Sequence, residues 1–132
     1  MIVREAIVAD PRVLQGDAPV REAAAVLAKP HVVSVLVTDG ERLLGCVTKE
    51  AIVAGVAQGR DLRELAVRDL VDRDVATVSP DTRLDEALIL MTEAGLERLA
   101  VVEDGLLLGV LPREPVVRRL AEDEPPPSPE ES

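Results

Sequence analysis

The residues best suited to contact a phosphate group lie where an apolar run meets a predicted helix start. Gly45 and Thr48 stand at such a junction, and Gly109 recurs 64 positions after Gly45. A glycine permits close approach to the backbone, and a hydroxyl at a helix N-terminus can donate to a bound anion. Thr48 can equally serve as an N-cap, so the pattern leaves both roles open.

His31 and Cys46 are the single histidine and single cysteine of the chain. Together they could form a nucleophilic pair, but Cys46 lies in the apolar run 43–47, where a cysteine behaves as a small hydrophobic residue. One histidine and one cysteine cannot complete a tetrahedral metal site. The sequence therefore predicts no catalytic residue and no metal site, and we expect a protein that is not an enzyme.

Composition restricts the class of ligand. The 132 residues include no Phe, Tyr or Trp, and the formal net charge is −10. A flat ligand must therefore lie between aliphatic side chains, because stacking on aromatic rings is excluded. The negative charge repels a polyphosphate backbone, which argues against nucleic-acid binding. A lone cysteine and the lack of an apolar run of about 18 residues favour a cytoplasmic protein without a membrane span.

The chain is a duplicated unit. Residues 43–51 and 107–115 carry two leucines, a glycine and a glutamate at the same offset. A half of roughly 64 residues would be marginally stable alone, so we expect the two halves to share a core. The predicted boundaries are 1–60 for the first repeat and 61–121 for the second, and the acidic, proline-rich residues 122–132 are predicted to be disordered.

Each repeat is predicted to form an α/β unit of the order β-α-β-β-α behind a short helical turn. Apolar residues at helical spacing predict helices over about 19–29 and 82–95, with Asp81 or Thr82 as the cap of the second. Each helix precedes two strands joined by a turn, over 31–37 and 43–47 and over 98–102 and 106–110. Closing helices are predicted over 49–57 and 113–121, and residues 12–14 and 75–78 are short enough for edge strands.

The duplicated order resembles a tandem pair of CBS domains, also called a Bateman module. The resemblance covers residues 1–121 and is carried by the repeat, by residues 77–87 before a helix, by residues 99–105, and by the Gly-x-x-Thr of 45–48. It implies a regulatory module that binds an adenosine nucleotide or related ligand, such as AMP, ADP, ATP or S-adenosylmethionine, in a cleft between the repeats. It also implies a homodimer and a regulated protein partner.

The resemblance assigns ligand contacts by position. The residues it assigns are Ser34, Gly45, Thr48, Ser79, Arg98 and Gly109. The family pattern continues to an aspartate that binds ribose, but Ala51 and Pro115 occupy those positions, and Pro112 replaces the second hydroxyl. Glu50 and Glu114, one residue earlier, are possible replacements or ordinary acidic residues of a first helical turn.

A second hypothesis follows from this incomplete pattern. The chain would then be a dimerisation or interaction scaffold with vestigial clefts. A second copy could cover helical faces of a small core, and the candidate faces are 20–27 and 84–91, with Leu88 as the test position.

Overall fold

Six strands form one mixed sheet in the order β1-β2-β3-β6-β5-β4 in a computed structural model that describes residues 1–114. The strands are β1 (Leu14–Gln15), β2 (Ser34–Asp39), β3 (Arg42–Thr48), β4 (Thr77–Val78), β5 (Arg98–Glu103) and β6 (Leu106–Pro112). The helices are α1 (Val20–Leu27), α2 (Lys49–Ala57) and α3 (Leu84–Ala94), with 3₁₀ turns at Val3–Glu5, Leu62–Glu64 and Val67–Leu70. The predicted α/β class and the edge positions of the short strands are confirmed.

The two repeats pair their strands in the same register. Strand β1 is parallel to β2 with Leu14 opposite Val37, and β4 is parallel to β5 with Val78 opposite Val101. Both pairs are offset by the same 64 positions as the sequence repeat. The antiparallel hairpins β2–β3 and β5–β6 meet at the centre of the sheet, where Arg42 pairs with Leu106.

Local sequence explains where α2 begins and where α3 ends, but not where α3 begins. α3 ends at Gly95, which adopts a left-handed φ of 66°, as a glycine C-cap does. α2 begins after Thr48, whose Oγ1 accepts a hydrogen bond from the Ala51 N–H. The predicted cap of α3 by Asp81 or Thr82 is wrong: the N-cap position is Arg83, without a side-chain cap, because the preceding residues form a separate turn.

Strand β2 begins three residues later than predicted. His31 has a φ of 67°, a left-handed conformation that no strand residue adopts. Residues 31–33 therefore form the exit from α1, and the regular pairing starts at Ser34. The four residues that follow Ser34 are all buried, which confirms the expectation of a strand covered on both faces.

The N-terminal turn of each repeat packs against the other repeat. Val3 is fully buried in the core formed by α3 and β5, whereas Val67 is fully buried in the core formed by α1 and β2. A third cluster between the repeats contains Leu36, Ala100 and Val110. The expected shared core is therefore present. Each turn contributes a buried valine to the core of the other repeat.

The closing helix of the second repeat is predicted over 113–121, and its first two residues, 113 and 114, are helical. Residues 115–121 of this helix and the predicted disordered tail 122–132 lie outside the described residues. Within residues 1–114, no helix combines the length and the apolar character that crossing a membrane requires.

Candidate functional site

The candidate site is a cleft of about 710 Å³ between the two repeats. Such a volume lies within the range of small-molecule sites. Its walls are mainly aliphatic, and its apolar lining includes Val32, Leu36, Val75, Leu96, Ala100 and Val110. Arginine, serine and acidic side chains interrupt this lining. The cleft therefore combines a flat apolar slot with a few polar groups, as the absence of aromatic residues led us to expect.

Backbone crossings build the cleft symmetrically. Residue 8 of the first repeat pairs with residue 110 on β6, through Val8 N–H to Val110 O at 3.0 Å and the reverse bond at 2.9 Å. The equivalent crossing joins Asp72 to Cys46 on β3, with N–H to O distances of 2.8 and 2.9 Å. Each crossing carries the residues that follow it, 10–12 and 74–76, to the cleft. Each end of the cleft therefore contains residues from both repeats.

One end of the cleft is formed by Arg12, Glu97 and Arg98, and we name it the Arg98 end. The Arg98 guanidinium forms an ion pair with Asp10, in which Nη1 lies 3.0 Å from Oδ1. The same oxygen accepts the backbone N–H of Arg12 at 2.9 Å. Because Asp10 and Arg12 belong to the first repeat and Arg98 to the second, this ion pair joins the repeats.

The other end is formed by His31, Ser34 and Asp74, and we name it the Ser34 end. Ser34 occupies the position equivalent to Arg98, and Asp74 the position equivalent to Asp10. Asp74 is exposed, and no ion pair joins it to any residue within 1–114. The two ends are therefore related by the repeat but differ in charge and in internal pairing.

Of the six residues predicted to bind ligand, Ser34 and Arg98 line the cleft. Thr48 is the Cα partner of Ser34 across the hairpin, but its hydroxyl caps α2. Ser79 is exposed, and its Oγ accepts the Asp81 N–H at 3.2 Å in the turn before α3. The structure thus brings two of the predicted residues together and gives Thr48 and Ser79 local roles.

Gly45 and Gly109 lie beneath the two backbone crossings. A Cβ on Gly109 would come within 2.6 Å of the Val8 carbonyl oxygen, and one on Gly45 would overlap the Asp72 backbone. Both glycines are buried. Each glycine therefore allows close approach of the protein's own chain, whereas its contact with a ligand stays a prediction.

Neither of the two possible replacements for the missing ribose acceptor, Glu50 and Glu114, lines the cleft. Glu50 is exposed in the first turn of α2, and the carboxylates that do line the cleft are Asp74 and Glu97. Pro115, the second departure from the pattern, lies outside the described residues. Asp74 is thus the carboxylate that lines the cleft at the Ser34 end.

Sequence reasoning missed Asp10, Arg12 and Asp74 as site residues. The repeat could have identified the two aspartates, since Asp10 and Asp74 occupy equivalent positions 64 residues apart. By itself, a local pattern such as Asp10-Pro11 indicates only a turn. Arg12 has no such repeat counterpart, because Ala76 occupies the equivalent position.

Cys46 lies in the wall of the cleft and is partly buried. Burial raises the pKa of its thiol, and the Asp72 carboxylate raises this pKa further. A raised pKa lowers the thiolate fraction at neutral pH, which opposes nucleophilic activity. Among residues 1–114, no group of three or more potential ligands is arranged to hold a metal ion.

Solved structures share this fold over nearly the whole chain. The AcuB protein from Vibrio cholerae has a TM-score of 0.77 at 22% identity, with 96% of this chain and 98% of that chain covered. CBSX2, solved in complex with AMP, has a TM-score of 0.72 at 26% identity, with 92% and 96% covered. A CBS pair of protein MJ0100 in complex with 5′-methylthioadenosine and S-adenosyl-L-methionine has a TM-score of 0.67 at 21% identity, with 94% and 98% covered.

Curated relatives are longer than this chain. An uncharacterized protein of Methanopyrus kandleri is 30% identical over 64% of this chain and 44% of its own length. The A-adding tRNA nucleotidyltransferase of Aquifex aeolicus is 30% identical over 92% of this chain but only 14% of its own length. The chain thus spans less than half of either relative.

The family model for the CBS domain matches the chain twice, at residues 3–57 and 67–122. The two matches coincide with the repeats that pair in equal register in the sheet. The chain therefore belongs to the CBS domain family, as a tandem pair.

Proposed function

We propose that this CBS pair is a regulatory module that binds an adenosine nucleotide or a related adenosine ligand in the inter-repeat cleft and acts on a partner protein. The observation that carries the proposal is the cleft itself, with aliphatic walls and with Arg98 and Ser34 at its two ends. An adenine ring fits between aliphatic side chains, a phosphate pairs with arginine, and a ribose hydroxyl donates to a carboxylate.

The likeness to CBSX2 supports an adenosine ligand. That protein is 26% identical to this chain and was solved in complex with AMP. The aspartate that the family pattern lacks at Ala51 has a substitute in Asp74, which supplies an exposed carboxylate in the cleft.

A stability measurement with AMP tests the proposal. A ligand that binds only the folded state at about 100 times its dissociation constant adds about 2.7 kcal/mol to the free energy of unfolding. Ala76→Phe should abolish this gain, because Ala76 lines the cleft and the larger ring would fill it. Ala54→Phe, on an exposed position of α2, is the matched control and should retain the gain. No stabilisation of the wild type by millimolar AMP, adenosine or S-adenosylmethionine would refute the proposal.

A ligand retained through purification can be detected directly. The chain contains no aromatic residue, so the protein itself absorbs very little near 260 nm. The filtrate of denatured protein should show a nucleotide band at a sizeable fraction of the protein concentration, and mass spectrometry would identify the compound.

The second candidate function is a homodimeric interaction scaffold. It is favoured by large apolar side chains exposed on the helices: Val53 and Val56 on α2 are 66% and 60% exposed, and Ile89 on α3 is 57% exposed. Within the faces predicted from sequence, 20–27 and 84–91, the residues buried in the chain's own core are Val20, Ala23, Leu27, Leu84, Ala87 and Met91, so the exposed Ile89 is the large apolar side chain of face 84–91 best placed for a partner. Leu88 also packs partly against that core, so it is a poor test position.

A further inference from the structure

The most deeply buried charged side chain of the cleft region is that of Asp10, which is 1% exposed. One carboxylate oxygen, Oδ1, forms an ion pair with the Arg98 guanidinium and accepts a hydrogen bond from the Arg12 backbone N–H. The other oxygen, Oδ2, is buried and has no hydrogen-bond partner among the described residues. Burying a carboxylate is costly unless a counter-charge accompanies it, so the interaction with Arg98 is needed to keep Asp10 in place.

Arg98 retains donors for another partner. A guanidinium carries five N–H groups, and the shortest contact of Arg98 with Asp10 is made by Nη1. The Arg98 side chain is 25% exposed and lines the cleft. The guanidinium therefore borders both the buried carboxylate and the cleft, and a guanidinium in a cleft favours recognition of a phosphate.

The Ser34 end provides a natural comparison. There the position of Arg98 is taken by Ser34, and the counterpart of Asp10 is the exposed Asp74. The side chains that line the Arg98 end include two arginines and one glutamate, whereas the Ser34 end has one aspartate beside a serine and a histidine. With the buried Asp10 counted, the Arg98 end carries no net charge and the Ser34 end carries one negative charge, so an anion is favoured at the Arg98 end.

We propose that Asp10 is a positioning residue that holds Arg98 of the other repeat, with Arg12 beside it, as the phosphate-binding end of the cleft. The inference rests on the proposed function, because the phosphate belongs to the bound adenosine ligand. It adds a role for the buried carboxylate and fixes the direction of the ligand: phosphate at the Arg98 end, sugar and base toward the Ser34 end.

Calorimetric titration of Asp10→Asn with AMP and with adenosine tests the role of Asp10. Asparagine preserves the shape but removes the charge that fixes Arg98, so the AMP affinity should fall by about tenfold, the value of one charge-assisted hydrogen bond. The adenosine affinity should change less than about twofold. Glu93→Gln is the control: it removes a carboxylate charge at an exposed position of α3, away from the cleft lining, and should leave both affinities at their wild-type values.

Arg98→Lys is a second variant that keeps the counter-charge of Asp10. A lysine cannot contact Asp10 and a phosphate through one planar group, so AMP should lose its advantage over adenosine while the protein still folds. An unchanged AMP-to-adenosine ratio in either folded variant would overturn the role of Asp10 and leave the proposed function intact. A wild-type protein that binds neither compound would overturn the proposed function and, with it, this inference.

Discussion

Gly45 lies directly against the backbone of Asp72. The two neighbouring backbones exchange hydrogen bonds between Cys46 and Asp72 at 2.9 and 2.8 Å, and a Cβ on Gly45 would overlap the Asp72 carbonyl oxygen. The φ of Gly45 is 153°, which side-chain-bearing residues rarely adopt. Gly45, a predicted ligand contact, therefore makes room for the backbone of Asp72, which crosses from the second repeat to β3 of the first.

Gly45→Ala should destabilise the fold by about 3 kcal/mol, because it combines overpacking with an unfavourable backbone conformation. Urea unfolding measures the change. Gly40→Ala is the matched control: Gly40 also has a positive φ, but nothing lies within 4 Å of its added Cβ, so only about 1 kcal/mol should be lost. Equal midpoints for the two variants would contradict the steric role of the crossing.

Thr48→Ala should lower the free energy of unfolding by about 1 kcal/mol, the typical value of a helix N-cap. Thr48→Ser keeps the hydroxyl that accepts the Ala51 N–H and should stay near the wild type. Because Thr48 caps α2 and does not line the cleft, we expect the AMP affinity of both variants to stay within about twofold of wild type. A loss of tenfold or more in Thr48→Ala alone would instead assign its hydroxyl to the ligand.

Alkylation of Cys46 should be slow at neutral pH and should accelerate at a higher pH than in a free thiol, because burial raises its pKa. Iodoacetamide labelling followed by mass spectrometry gives the rate, and the urea-unfolded protein is the control. AMP should slow the labelling of the folded protein further, since Cys46 lies in the cleft wall. Equal rates for folded and unfolded protein at every pH would refute the effect of burial.

The same raised pKa gives stability a pH dependence. The folded thiol keeps its proton to a higher pH than the unfolded thiol, so the unfolded state binds fewer protons and stability falls as pH rises through this window. Compared with Cys46→Ala, the wild type should keep a constant difference in unfolding free energy below the ordinary thiol pKa of about 8.5 and lose stability above it. A wild type that gained stability relative to Cys46→Ala as the pH rose above this value would contradict the prediction.

Val53→Glu and Val56→Glu should convert a homodimer to monomer if α2 forms the interface, without lowering the melting temperature, because both side chains are mostly exposed. Sedimentation velocity measures the assembly state. Leu108→Glu, at a 44% exposed position on β6, is the control away from the helices. A dimer that survives both helix substitutions would remove α2 from the interface.

Local sequence determined the elements of this protein and their order. The spacing of apolar residues in α1 and α3, Gly95 after α3 and the Asp39-Gly40 turn each act over a few residues, so the helices, the hairpins and the duplicated unit follow from periodicity and turn chemistry. The cap of α3 was predicted incorrectly because Ser79 forms a competing turn that satisfies the Asp81 N–H.

Tertiary structure decided which of these residues meet. Asp10 contacts Arg98 and Val8 pairs with Val110, across nearly the whole described chain, and no pattern within a repeat specifies such contacts. The exchange of Val3 and Val67 between the cores likewise depends on how two units bury one another's apolar surface. Sequence thus determined the tandem pair and its helices and strands. Packing between the repeats decided that Arg98 pairs with Asp10 at one end of the cleft and that Gly45 lies against the Asp72 backbone. These contacts exist only once both repeats share a core.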